Sequence, residues 1–135
     1  MVISTGLSLN QKIKIFETCS LIRHVELEIS RRYVMGKMRC PVHLSIGQEA
    51  SAVGVASVLN NEDLMLGNHR SHGHYLAKGG NLEKMIYEVF GDQRGCCKGF
   101  GGSMHMLDKE AGFTGSTPIL GSIPSIAVGQ AFACK

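Results

Sequence analysis

The sequence predicts an α/β fold, a parallel sheet flanked by helices, and three observations carry that prediction. Helical patterns alternate with short apolar runs, of which Leu64-Met65-Leu66 is the clearest strand. That run opens into Gly67-Asn68-His69-Arg70-Ser71-His72-Gly73-His74, a polar segment leading to another helix. A strand, a polar turn and a helix in that order is where α/β sheets hold ligands. Strands are nevertheless too few for a complete sheet, and the last helical pattern is still running at Lys135. The expectation is part of one domain over residues 1–135, with an incomplete sheet and a flexible start over 1–7.

Each element has a local signal. Ser8-Leu9-Asn10-Gln11 fits a capping box. In the long helix that follows, Ile15, Cys19, Ile22, Val25 and Ile29 line one face, and Glu28 and Arg32 stand four apart in the favourable order. Gly36 is placed to end it. Pro41 biases Cys40 toward an extended connection containing His43. A second helix, rich in small residues, is predicted from about Gly47 to Leu59, with Asn60 and Asn61 stopping it. After the strand at 64–66 comes a helix closed by Gly79-Gly80. Asn81 caps the next, whose Leu82, Met85, Ile86, Val89 and Phe90 share a face up to Gly91. Phe113 to Leu120 reads as extended, and Pro124 suits the first turn of a last helix.

Composition excludes several functions. The net charge of +3 comes without a lysine or arginine cluster or interleaved aromatics, which speaks against nucleic acid. Ala111 to Cys134 carries no charge, but glycines and two prolines interrupt it, so it reads as buried core rather than a membrane span. The five cysteines are odd in number and contain no Cys-x-x-Cys pair, which points to a reduced, non-secreted chain without disulfides.

The candidate chemistry lies in four places. Gly95 to His105 holds four glycines before Ser103, and such a loop can turn successive N–H groups toward an anion, with Lys98 adding charge. The plainer reading is a flexible surface loop. His69, His72, His74, Cys96, Cys97 and His105 together imitate a zinc site, but their spacing is poor. His72 and His74 read more simply as helix-start residues bonding locally. Arg70 is placed either to grip a phosphate or to pair with Asp63. His43 alone reads as a satisfied, partly buried histidine, and Glu49 as a first-turn helix acid. Neither a P-loop ending nor a GxSxG elbow is present.

In combination these segments are more specific. They are His43-Leu44-Ser45-Ile46-Gly47-Gln48-Glu49-Ala50, Asn68-His69-Arg70-Ser71-His72-Gly73, Gly99-Phe100-Gly101-Gly102-Ser103-Met104-His105, and Ile119-Leu120-Gly121 leading to Ala131-Phe132-Ala133-Cys134-Lys135. Their order and separations resemble the alpha subunit of thiamine-diphosphate-dependent 2-oxo acid dehydrogenases of the pyruvate, branched-chain and acetoin type. The resemblance begins near Leu9.

The resemblance implies a thiamine diphosphate-binding fold and a heterotetramer with a beta subunit that supplies the activating glutamate. It implies oxidative decarboxylation of a small 2-oxo acid, or use of acetoin, with acyl transfer to the lipoyl group of an acyltransferase component. It implies bacterial cytoplasm or an organelle matrix, with neither membrane nor nucleic acid as partner. By position, His43 matches a histidine at the cofactor diphosphate and the reacting centre, and Arg70 matches a diphosphate-gripping arginine. His69 stands where tyrosine is usual, and Pro118 where glycine is usual. Leu120 matches a residue whose backbone meets the aminopyrimidine. Gly101, Gly102, Ser103 and His105 match the loop around the site. The Mg²⁺ ligands of the family, a Gly-Asp-Gly and a following asparagine, are expected downstream of Lys135, leaving no metal ligand in this chain. The alternative is a non-catalytic phosphate-binding or subunit-assembly piece of that family. In either case the Gly-rich loop is expected to be mobile and Ile119 to Cys134 uncovered.

Overall fold

A computed structural model describes residues 6–135, so most of the expected flexible start lies outside the described residues. Seven elements follow in order: α1 (Leu9–Tyr33), α2 (Glu49–Ala56), β1 (Met65–Gly67), α3 (His72–Ala77), α4 (Leu82–Val89), β2 (Phe113–Ser116) and α5 (Ser122–Ala133). The strands β1 and β2 pair in parallel, with Met65 opposite Phe113 and Gly67 opposite Ser116. The expected α/β class is therefore present as two parallel strands and their helices.

The signals at helix starts act as predicted. The Ser8 hydroxyl accepts from the Gln11 N–H at 3.3 Å, and the Gln11 side chain accepts from the Ser8 N–H at 2.8 Å. Asn81 caps α4 by accepting from the Lys84 N–H at 2.9 Å. Two ends differ. Helix α1 stops at Tyr33, and Gly36 takes its left-handed φ of 65° in the turn beyond. Helix α2 spans only Glu49–Ala56, because the Ser57 hydroxyl donates to the Gly54 carbonyl and the chain tightens into turns through Leu59.

The core forms where these faces meet. Ile22 and Ile29 from α1 join Val53 of α2, Met65 of β1, Tyr75 and Leu76 of α3, and Met85 and Val89 of α4. Phe113 closes it, its ring edge-to-face with Tyr75 at 5.6 Å. The uncharged stretch that read as core is otherwise uncovered. No residue of α5 is buried, and Ile119, Leu120 and Phe132 are 68%, 73% and 81% exposed. Two short strands offer too little area to cover a 12-residue apolar helix. No helix among the described residues is long and apolar enough to cross a membrane, and all five cysteines are free thiols.

Glu49 does more than favour the helix dipole. Arg23 donates to it from Nε at 2.5 Å and Nη2 at 2.9 Å, joining α1 to the start of α2. This pairing holds the Glu49 carboxyl down at about 2 despite its burial. A depressed folded value means stability that is complete above the unfolded value, ~4.3, and is lost as pH falls toward the folded one. Glu49→Gln should cost on the order of 1 kcal/mol near neutral pH, because water screens the half-exposed Arg23. Urea midpoints of the two proteins should converge between about pH 5 and about pH 2. A gap that stays constant over that range would disprove the coupling.

Candidate functional site

The parallel pairing brings the carboxyl ends of β1 and β2 side by side, with the Thr117 N–H donating to the Gly67 carbonyl at 3.4 Å. Asn68, His69 and Arg70 leave one strand, and Pro118 and Leu120 follow the other. The Asn68 side chain accepts from the Arg70 N–H at 2.8 Å, which turns the chain toward α3. The Arg70 guanidinium donates to the Leu44 carbonyl through Nη1 and so reaches the connection that carries His43. It does not take Asp63, which caps the Asn60 N–H at 2.7 Å.

His43 and His69 meet edge to face, with ring centroids 5.3 Å apart. The Nδ1 atom of each ring is buried and has no hydrogen-bond partner. His43 is therefore not the satisfied histidine it resembles in isolation. Buried polar atoms without partners are rare, because each forfeits its hydration. Burial, with the Arg70 guanidinium and the His43 ring adding to it, pushes the His69 imidazole below its ordinary value. Two imidazoles and one guanidinium thus converge at the carboxyl end of the sheet, an arrangement suited to a ligand carrying several acceptor oxygens.

The Gly-rich loop does turn its N–H groups toward an anion, but that anion is Glu88 of α4. One Glu88 oxygen accepts from the N–H groups of Cys97 and Gly99 at 2.6 and 3.0 Å. The other accepts from those of Gly101 and Gly102 at 2.7 and 3.1 Å. Neither the phosphate cradle nor the mobile loop expected here fits this arrangement: an internal carboxylate occupies these donors and ties the loop down. Glycine is required at 101, where an added Cβ would stand 2.1 Å from the His105 carbonyl oxygen.

His72 also departs from its expected local role. It is completely buried, and Nδ1 meets the Glu26 carboxylate at 2.6 Å while Nε2 meets the Ser103 hydroxyl at 2.8 Å. His74 does bond locally, to the Arg70 carbonyl at 3.3 Å. The imagined zinc set is thus dispersed. Glu88, Cys96 and Cys97 do place ligand atoms within 4.8 Å of one another, but four N–H groups occupy the Glu88 oxygens and the Cys97 thiol donates to the His105 carbonyl at 3.0 Å. The His105 residue itself is exposed.

Sequence reading missed Glu26 and Glu88, although a signal was present. Glu26 falls on the stripe of Ile22 and Ile29, and Glu88 beside Met85 and Val89. A carboxylate on an apolar helical face has to find buried donors. The structure also has a groove of about 400 Å³ lined by residues such as Ile15, Val53, Leu59 and Leu76, and no histidine borders it.

Comparison with known proteins shows the family of the chain. The sequence is 39% identical to the alpha subunit of acetoin:2,6-dichlorophenolindophenol oxidoreductase from Bacillus subtilis, covering 96% of this chain and 40% of that protein. It is 36% identical to pyruvate dehydrogenase E1 component subunit alpha-1, mitochondrial, of Arabidopsis thaliana, covering 95% of this chain and 33% of that one. The Rhizobium meliloti pyruvate dehydrogenase E1 component subunit alpha is 40% identical over 90% of this chain and 35% of its own length. The chain spans between a third and two fifths of the length of these relatives. Residues 17–135 match the family described as dehydrogenase E1 component, and the chain belongs to that family.

Proposed function

We propose that this chain is the diphosphate-gripping part of a thiamine-diphosphate-dependent dehydrogenase alpha subunit. In this reading it acts on a small 2-oxo acid or acetoin, together with a beta subunit and a lipoyl-bearing acyltransferase component. The observation that supports this most directly is the pair of partnerless buried Nδ1 atoms on His43 and His69 beside Arg70. A diphosphate offers acceptor oxygens that would satisfy both rings and a full charge for the guanidinium.

When bound, thiamine diphosphate supplies an electron sink for decarboxylation. The residues here bind and orient it. Arg70 neutralises phosphate charge while its bond to the Leu44 carbonyl keeps the guanidinium beside His43. His69, held toward its neutral form, donates one ring N–H to a phosphate oxygen in place of a tyrosine hydroxyl. His43 brings a second imidazole to the diphosphate and can hold a proton near the reacting carbon. Leu120, beyond the end of β2, would meet the aminopyrimidine through its backbone, with Pro118 replacing the usual glycine beside that approach, and Gly101, Gly102, Ser103 and His105 would border the site. No Mg²⁺ contact is assigned to the described residues. Mg²⁺ takes oxygen ligands, whereas the cluster of Glu88, Cys96 and Cys97 offers thiols and a carboxylate already hydrogen-bonded four times.

The test uses the complete alpha polypeptide containing this chain, coexpressed with its beta subunit. Carbon dioxide release from pyruvate and cleavage of acetoin are each followed with and without thiamine diphosphate and Mg²⁺. Cofactor-dependent turnover of either substrate is the expected result and separates the 2-oxo acid from the acetoin branch. A folded heterotetramer that binds no thiamine diphosphate in calorimetry would overturn the reading.

A further inference from the structure

Glu26, His72 and Ser103 have the makings of a nucleophilic triad: hydroxyl, imidazole and carboxylate in line at 2.8 and 2.6 Å. All three side chains are completely buried, so no acyl substrate reaches the Ser103 oxygen. The set does other work. The Ser103 hydroxyl accepts a long hydrogen bond from the His43 backbone N–H at 3.5 Å, and the second Glu26 oxygen accepts from the Ser45 N–H at 2.6 Å. Hydrogen bonds therefore leave residues 43–45, pass through the Gly-rich loop, α3 and α1, and return to the same three residues.

Every donor in this circuit has one direction. With Glu26 as a carboxylate, which only accepts, and His72 as a neutral imidazole, the tautomer that fits both contacts has its proton on Nδ1 and Nε2 as an acceptor. The Ser103 hydroxyl then spends its proton on Nε2 and offers its lone pair to the His43 N–H. On the outer side, the Leu44 carbonyl accepts from Arg70. Three successive residues of the connection are thus pinned from three different parts of the chain: the Gly-rich loop, the turn after β1, and α1. This pinned backbone carries the His43 ring, whose Nδ1 has no partner in the protein.

We propose that His72 is a positioning residue: through Ser103 and Glu26 it fixes the backbone at 43–45 and thereby aims the His43 imidazole. This deepens the reading in which His43 meets the cofactor diphosphate. Because the circuit lies wholly within this chain, it can be tested without cofactor, so its failure is separate from failure of that reading.

The experiment is amide hydrogen exchange and histidine-ring NMR on the complete alpha polypeptide containing this chain and its Ser103→Ala variant, which removes one hydroxyl from the circuit. Exchange at the His43 amide should accelerate about tenfold while Ile22 and Val89 change less than about twofold, the pattern of a local rather than global loosening. The His43 ring resonances should shift with it. His72→Ala should act on the same signals, and the double variant should add nothing further at His43, because either break opens one circuit. Unchanged His43 signals in Ser103→Ala would overturn the proposal. So would an equal loss of protection along the whole chain, or additive effects in the double variant. If His72→Ala does not fold, the Ser103→Ala comparison decides alone.

Discussion

Glu88→Ala should lower the unfolding free energy by about 3–5 kcal/mol, the range for removing one partner of a buried charged network. The carboxylate accepts four backbone N–H groups from a span of six residues, and its side chain is completely buried. Each such bond to a charged acceptor contributes roughly 1.5–3 kcal/mol, though bonds sharing one acceptor do not add in full. Alanine leaves the Gly102 N–H buried beside an empty space, and that donor loses its partner without gaining water. Glu88→Gln should fall between the two, since its amide nitrogen would face donors with a donor. Glu83→Ala, on the exposed side of the same helix, serves as the control at under about 1 kcal/mol. Urea unfolding reads all three. Equal midpoints for Glu88→Ala and Glu83→Ala would mean that the loop does not depend on its internal carboxylate.

Arg70→Ala should weaken thiamine diphosphate binding to the complete subunit far more than Arg32→Ala does. Truncating one partner of a desolvated arginine–phosphate pair costs about 2–5 kcal/mol, which calorimetry reads as a loss of roughly 30-fold or more in affinity. Arg32 lies on the exposed side of α1, paired with Glu28, and such pairs contribute about 0–1 kcal/mol. The Leu44 carbonyl adds a second consequence. Without the guanidinium, the connection carrying His43 loses one of its anchors, so Arg70→Lys should recover only part of the affinity: it restores charge but not the fork. Equal affinities for the alanine variants would remove Arg70 from the cofactor site.

The helices were legible wherever the signal was local. The capping box at Ser8, the cap at Asn81, the stripe through Ile22 and Ile29, and the turn glycines act within a few residues, and the sequence states them outright. The β1 strand was legible as a short apolar run. The family was legible because its motifs are combinations of residues in order, which survive in a linear reading.

What the sequence could not settle was the partner of each buried polar group. The Gly-rich loop read as an anion site, and so it is, but only the fold could place Glu88 of the preceding helix inside it. His72 read as a local helix-start residue because its partners stand 46 and 31 positions away. The uncharged stretch read as core by hydrophobicity, but the shortage of strands also predicted Ile119 to Cys134 to be uncovered, and beside two short strands that part is indeed exposed. Local propensity and capping depend on neighbours in sequence and belong to the chain. Desolvation of a charge, and the donors that compensate it, depend on neighbours in space and were decided only when the tertiary structure formed.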